Sequence, residues 1–99
     1  MKDIPAGFEP FGRISPFTEM VGPLYSKGEG YQRVFGLRAE RKHCNTRGYV
    51  HGGVLATIAD TSMGYTIAFL HAPPKSLVTA SLTIDFAGSK SPERRWRIT

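Results

Sequence analysis

The sequence predicts one α+β domain in which a long apolar helix is covered by an antiparallel sheet. A mostly apolar segment at residues 52–70 places Leu55, Ile58 and Tyr65 at the three- and four-residue spacings of a helix face. Residues 77–86 alternate apolar and polar side chains, which is typical of a half-buried strand. Because little of the helix surface is polar, we expect a wrapped sheet to cover it.

The length and composition fit a single small domain. The chain has 99 residues, of which 40% are hydrophobic and 21% charged, close to globular averages. One cysteine excludes an internal disulfide framework, and the first 20 residues contain no apolar signal sequence, so we expect a cytoplasmic protein. Residues 52–70 include Asp60 among hydroxyls and glycines, which argues against a membrane span.

Short elements precede the long helix, because prolines and glycines interrupt every regular pattern there. In chain order we expect an irregular lead-in, one helical turn, a tight turn, a strand and a polar loop, at residues 1–16, 17–21, 28–30, 31–40 and 43–50. Pro73 and Pro74 end the long helix.

The net charge of +5 is unevenly distributed. Residues 90–99 hold four basic side chains against one acidic side chain and form an atypical basic tail, whereas residues 1–89 are nearly balanced. Trp96 is the one aromatic residue in this tail, so nucleic-acid binding is a minor alternative and a solvated basic tail is the simpler interpretation.

Asp60 is the charged residue that stands out in the long helix. It is the one acidic or basic side chain between His51 and His71. A carboxylate in an apolar helix requires hydrogen bonds or a cation, and it can serve as a general base. The same pattern also fits a solvent-facing strip that Asp60 shares with Thr57 and Thr61, and the helix by itself does not separate the two interpretations.

The residues before the helix favour a second chemical feature. His51, Gly52 and Gly53 stand where the first backbone N–H groups of a helix are unpaired, and such groups can hold a carbonyl oxygen that becomes an oxyanion. Asn45 can cap or orient a bound group, and Gly48 permits the turn that returns the chain. A simple hinge from loop to helix remains the alternative.

The combination of these residues resembles the motif of hotdog-fold acyl-CoA thioesterases, in particular the phenylacetic-acid-degradation (PaaI-like) type. The motif comprises Asn45, Gly48, His51, Gly52, Gly53 and Asp60, and the resemblance extends over residues 16–89. It implies a hotdog fold, a long central helix wrapped by a curved antiparallel sheet. It also implies hydrolysis of an acyl-CoA to free acid and coenzyme A without metal or cofactor, in a homodimer or homotetramer whose active site lies between subunits.

The resemblance also implies roles for individual residues. Asp60 would be the general base or nucleophile, and the Gly52 N–H would polarise the thioester carbonyl. The resemblance makes Asn45, His51 and Thr79 further catalytic residues that orient substrate or water, and it makes Gly53 a substrate-binding residue. The acyl group is not specified by the sequence.

The sequence departs from the family after residue 86. The family's sheet continues with long strands, but residues 89–99 contain no alternating apolar run. We therefore expect one partial hotdog domain over residues 1–99 with its C-terminal strands missing, Trp96 being a remnant of one, and hypothesise a truncation or frameshift. A non-catalytic binding or interaction module with the same fold is the alternative function.

Overall fold

The computed structural model describes residues 4–73 and 75–85, together with the backbone of residues 96–98. Within this part of the chain, four strands form one antiparallel sheet in the order β1-β2-β3-β4. The strands are Glu9–Pro10 (β1), Leu24–Lys27 (β2), Val34–Arg38 (β3) and Trp96–Ile98 (β4). The centre of the sheet is the β2-β3 pair, in which Leu24 lies opposite Leu37 and Lys27 opposite Val34.

The first helix, α1, is the short turn predicted at residues 17–21. It spans Pro16–Val21 and begins at Ser15, whose hydroxyl accepts a hydrogen bond from the Thr18 N–H at 3.1 Å. The Thr18 hydroxyl in turn accepts from the Ser15 N–H, so the two residues form a capping box. Proline at the first helical position costs no hydrogen bond, which explains why so short a helix forms here.

The strand predicted over residues 31–40 is shorter in the structure. Gly30–Gln32 form a 3-10 turn, and the strand begins at Val34. Gly28 has a φ of 89°, so the chain reverses direction through a glycine before this turn. The lead-in is also more regular than expected, because Glu9 and Pro10 pair with Ser26 and Tyr25 of β2.

The core lies between the sheet and the long helix α2. Its buried side chains come from the lead-in, from two strands and from one position of the helix: Phe11, Leu24, Phe35, Leu37 and Ile58. The Phe11 ring contacts both Phe35 and Tyr65 edge to face, each at 4.9 Å between centroids. The helix is therefore fixed on the sheet by Ile58 and Tyr65, which lie two turns apart.

The long helix is confirmed. It spans Gly52–Ala68 and ends two residues before the predicted limit, because residues 69–70 form a turn. One side packs on the sheet, whereas Met63 and Ile67 on another side are 47% and 48% exposed. An antiparallel sheet against one long helix confirms the α+β class, and the described part of the chain leaves a face of that helix open. No helix in this part is long and apolar enough to cross a membrane.

The strand predicted over residues 77–86 is wrong for the residues that the structure describes. Residues 75–85 belong to no β-ladder, and Phe86 lies outside the described residues. Val78 is 94% exposed, although the alternation assigned it to a buried face. Alternation favours an extended chain, but a strand also requires a neighbour with which to pair, and the described residues provide none.

The expectation that residues 89–99 supply no strand is also corrected. Trp96–Ile98 form β4, in which Ile98 lies opposite Gly36 and Trp96 opposite Arg38. Three residues are too few to show an alternating pattern, so the sequence does not predict this strand. It forms because the edge of β3 provides backbone groups with which it can pair. The other residues of the predicted basic tail, 90–95 and 99, lie outside the described residues.

Candidate active site

A cavity of about 570 Å³ opens beside the middle of α2, and Asp60 lies in its wall. The residues that matter for its chemistry come from the lead-in, the helix and the segment after the helix: Arg13, Asp60, Tyr65, Phe69, Lys75 and Thr79. Asp60 is half-buried. Of the two interpretations left open by the sequence, the structure therefore favours a carboxylate in a pocket over a flat solvent-facing strip.

Asp60 and Thr79 are in direct contact. The Thr79 hydroxyl donates a hydrogen bond to Oδ1 of Asp60 at 2.6 Å, although the residues are 19 positions apart. Lys75, Ser76 and Leu77 line the same cavity as α2, so the segment that carries this hydroxyl lies against the helix there. The described residues give Oδ2 of Asp60 no hydrogen bond, so this oxygen is available to a water or a substrate.

The start of α2 is organised by His51. Its carbonyl accepts hydrogen bonds from the N–H groups of Val54 and Leu55, and its ring Nδ1 accepts from the Gly53 N–H at 2.8 Å. The described residues offer no acceptor to the N–H of Gly52. Of the N–H groups in this first turn, that of Gly52 is therefore left for a bound carbonyl oxygen.

Gly53 accommodates the ring of His51. A Cβ atom at this position would lie 3.0 Å from Nδ1 and 3.2 Å from Cε1 of that ring. Because the Gly53 N–H is already donated to His51, the predicted substrate-binding residue does not offer that group to a ligand. The two glycines therefore differ: Gly53 leaves room for the His51 ring, and the N–H of Gly52 has no acceptor among the described residues.

Asn45 shapes the loop that leads to the helix. Its Oδ1 accepts hydrogen bonds from the N–H groups of Arg47 and Tyr49, at 2.9 and 3.1 Å. Gly48 has a φ of 83°, which confirms that this glycine permits the turn back towards His51. Since the side-chain oxygen is occupied, the Nδ2 donors of Asn45 are the groups that remain for a ligand.

His43 is a positioning residue whose role the sequence did not predict. It is 2% exposed, and its ring accepts a hydrogen bond from the Glu40 N–H and donates one to the Val21 carbonyl. Its own carbonyl accepts from the His51 N–H at 2.8 Å. His43 therefore ties α1 to the start of α2. A single histidine in a polar loop does not by itself predict such a contact. In the described part of the chain, no cluster of His, Cys, Asp or Glu could hold a metal ion.

The sequence-predicted residues fall into two separate groups. Asp60 and Thr79 share the cavity described above, whereas Asn45 and Gly48 line a second cavity of about 580 Å³. Gly52 and Asp60 are eight positions apart on one helix, which is about 12 Å along its axis. The path from an N–H through the attacked carbonyl and a water to a carboxylate comprises two hydrogen bonds, the C=O bond and the attack distance, about 10 Å when fully extended. The backbone positions of Gly52 and Asp60 in a single chain are therefore further apart than one substrate carbonyl and its attacking water would span.

Comparison with known proteins shows what this chain is similar to. Residues 47–93 match the family described as "Thioesterase superfamily", and this stretch includes Gly52, Asp60 and Thr79. A Pseudomonas aeruginosa protein named "Putative esterase PA0474" is 43% identical over 89 residues, which are 89% of this chain and 66% of that protein. The chain thus spans just under two thirds of the length of this relative.

Proposed function

We propose that this chain, which carries a hotdog domain of the thioesterase superfamily, is an acyl-CoA thioesterase that hydrolyses its substrate to free acid and coenzyme A. The superfamily and the relative named an esterase support a hydrolase. The observation that carries the thioesterase proposal is the hydrogen bond between Thr79 and Asp60 in the wall of a pocket. A carboxylate held in place by a hydroxyl, with one oxygen free, is suited to activating water.

In the proposed reaction Asp60 acts as the general base. Oδ2 accepts a proton from a water molecule, whose oxygen attacks the thioester carbon, while the Gly52 N–H stabilises the negative charge on the carbonyl oxygen. The tetrahedral intermediate then expels the coenzyme A thiolate, a leaving group that needs no strong acid. Direct attack by the Asp60 carboxylate, with an anhydride as intermediate, uses the same residues.

The proposed site forms between two copies of the chain. The separation of Gly52 from Asp60 along α2 supports this arrangement, because a second copy can supply the group that the first cannot bring close. The exposed side chains of Met63 and Ile67 on α2 and of Val78 on the extended segment provide an apolar surface for such a copy. We therefore propose a homodimer, or a homotetramer built from such dimers, with Asp60 of one subunit opposite Gly52 of the other.

The lining of the pocket supports an aromatic or other apolar acyl group. Tyr65 and Phe69 stack with 6.1 Å between their ring centroids, and Phe17 and Leu77 also line the cavity. Flat apolar walls of this kind favour a flat apolar ligand. We therefore propose that the chain belongs with the PaaI-like enzymes and that it hydrolyses aromatic acyl-CoA thioesters faster than acetyl-CoA.

The first test is the substitution Asp60→Asn, which keeps the shape and removes the charge. We expect hydrolysis of an aromatic acyl-CoA to fall by about a thousandfold, because the amide cannot accept the proton. Asp85→Asn is the matched control, since Asp85 is exposed and lies outside the pocket. Light scattering should give the same oligomeric state for both variants, and unchanged turnover in Asp60→Asn would contradict the proposed role.

A further inference from the structure

We propose that Arg13 and Lys75 form an anion-binding subsite in the Asp60 pocket, and that the substrate carries a phosphate or carboxylate group next to its apolar part. This inference rests on the proposed function, because it adds a binding contact to the same site. The two residues come from different segments. Arg13 precedes α1, and Lys75 follows the end of α2. Both residues line this cavity.

The charges in the pocket are unbalanced. Its lining contains two cations, Arg13 and Lys75, and one carboxylate, that of Asp60. That carboxylate accepts its hydrogen bond from Thr79, and the described residues give neither cation an ion pair. A concave surface with an excess of positive charge concentrates anions, and a carboxylate or phosphate can accept hydrogen bonds from either cation.

Arg13 is held in place without using its hydrogen-bond donors. Its Cζ lies 5.6 Å from the centroid of the Phe69 ring, which is within the range of a cation–π contact. Phe69 is itself fixed, because its ring stacks on that of Tyr65 and the Cζ of Arg33 lies 5.3 Å from its centroid. The described residues provide no acceptor for the guanidinium N–H groups of Arg13. This planar set of donors is therefore positioned for a bidentate contact with an oxyanion.

Other cations of the described chain are arranged differently. Lys27 lies 5.1 Å from the Phe8 ring but lines neither cavity, and Lys42 donates a hydrogen bond to the Met20 carbonyl at 3.3 Å. Lys27 thus makes the same kind of cation–π contact as Arg13, but with a ring that lines neither of the two cavities. It provides a matched control for the loss of one positive charge above an aromatic ring.

Two parts of an acyl-CoA could supply the anion. One is a phosphate of coenzyme A, and the other is a carboxylate on the acyl group itself. The test is calorimetric titration with three thioethers that cannot be hydrolysed: S-phenacyl coenzyme A, S-phenacyl pantetheine, which lacks all phosphates, and S-(4-carboxyphenacyl) pantetheine. Each is titrated against the wild type, the double variant Arg13→Gln/Lys75→Gln, and Lys27→Gln.

We expect the double variant to bind one of the two anionic probes at least about tenfold more weakly than the wild type does, because charge-assisted hydrogen bonds are lost. S-phenacyl pantetheine should bind equally to both proteins. Weakening of the coenzyme A probe identifies a phosphate, and weakening of the carboxyphenacyl probe identifies an acyl carboxylate. An unchanged affinity for both anionic probes, or an equal loss for all three probes, would overturn the subsite.

Binding of these probes requires no hydrolysis, so the result is independent of the proposed reaction. If the wild type turns over no acyl-CoA but shows the expected differences in affinity, the thioesterase proposal fails and the anion subsite stands. If the wild type hydrolyses acyl-CoA and the double variant binds all three probes as the wild type does, the thioesterase proposal stands and the subsite fails.

Discussion

At the scale of single residues, the candidate site depends on which hydrogen-bonding groups are already occupied. Thr79 uses one oxygen of Asp60 and leaves the other, and His51 uses the N–H of Gly53 and leaves that of Gly52. In both cases one hydrogen bond fixes the local orientation, and a neighbouring oxygen or N–H remains for the substrate. Substitutions that remove the orienting partner should therefore impair the site without removing the group that reacts.

The first residue-scale prediction concerns the Thr79 hydroxyl. Thr79→Val keeps the shape and removes the donor, so Asp60 loses its 2.6 Å hydrogen bond. We expect kcat for an aromatic acyl-CoA to fall about ten- to a hundredfold, and Thr79→Ser to recover most of it. Thr83→Val, in the same exposed segment, should behave as the wild type does. Full activity in Thr79→Val would show that the hydroxyl plays no part.

The second residue-scale prediction compares two glycines of α2. A methyl group at Gly53 would lie against the His51 ring and displace the cap; this loss of about 1 kcal/mol should offset the gain in helix propensity, so Gly53→Ala should leave the free energy of unfolding nearly unchanged. A methyl group at Gly64 meets nothing within 4 Å, so Gly64→Ala should raise it by about 0.5 to 1 kcal/mol. Urea denaturation measures both, and equal effects would contradict the role of the ring.

How much of the site could be predicted depends on how local its parts are. Gly52 and Asp60 lie within one continuous motif, so their roles can be predicted from the sequence. Thr79 is predicted only by the resemblance to a family, because nothing in an alternating segment indicates that its hydroxyl contacts a helix. Arg13 and Lys75 enter the same pocket from distant segments, and no pattern of residue types predicts such a meeting.

At the scale of elements, the long helix and the segment after it show the limits of periodicity. The three- and four-residue spacing predicted α2 because a helix makes its hydrogen bonds within itself. The alternation at residues 77–86 predicted a strand, but strand pairing depends on a neighbour that is distant in sequence. The same reasoning explains why β4 was missed, since its three residues acquire their structure from the edge of β3.

The element-scale prediction tests how α2 is attached to the sheet. Ile58 is 1% exposed and belongs to the core cluster, whereas Ile67 on the same helix is 48% exposed. We expect Ile58→Ala to lower the free energy of unfolding by about 2 to 5 kcal/mol, because it leaves a cavity at the contact with β3. Ile67→Ala should cost less than about 1 kcal/mol in the separated chain. Chemical denaturation at low protein concentration compares the two, and equal costs would contradict this docking.

At the scale of the whole molecule, the residues of the proposed site lie in two separate places of the chain. One cavity holds the carboxylate and its hydroxyl partner, and the carbonyl-polarising N–H lies about 12 Å away along the same helix. A two-fold axis that places two copies of α2 side by side would bring each half against the complementary half. We propose that a second copy covers the open face of α2 and the segment 75–85, where Met63, Ile67 and Val78 are exposed.

The most direct test of this account is a heterodimer of two inactive variants. Asp60→Asn removes the base, and Gly52→Pro removes the N–H. Proline suits the first position of a helix, and the φ of −64° and ψ of 135° at His51 suit a residue before proline. Gly52→Ala, which keeps the N–H, is the matched control.

The two variants are co-expressed with different affinity tags and purified through both tags. Each variant alone should be inactive. The heterodimer should recover about half of the wild-type activity, because one of its two sites combines an intact Asp60 with an intact Gly52 from the other subunit. A heterodimer that remains as inactive as either parent would contradict an active site shared between subunits.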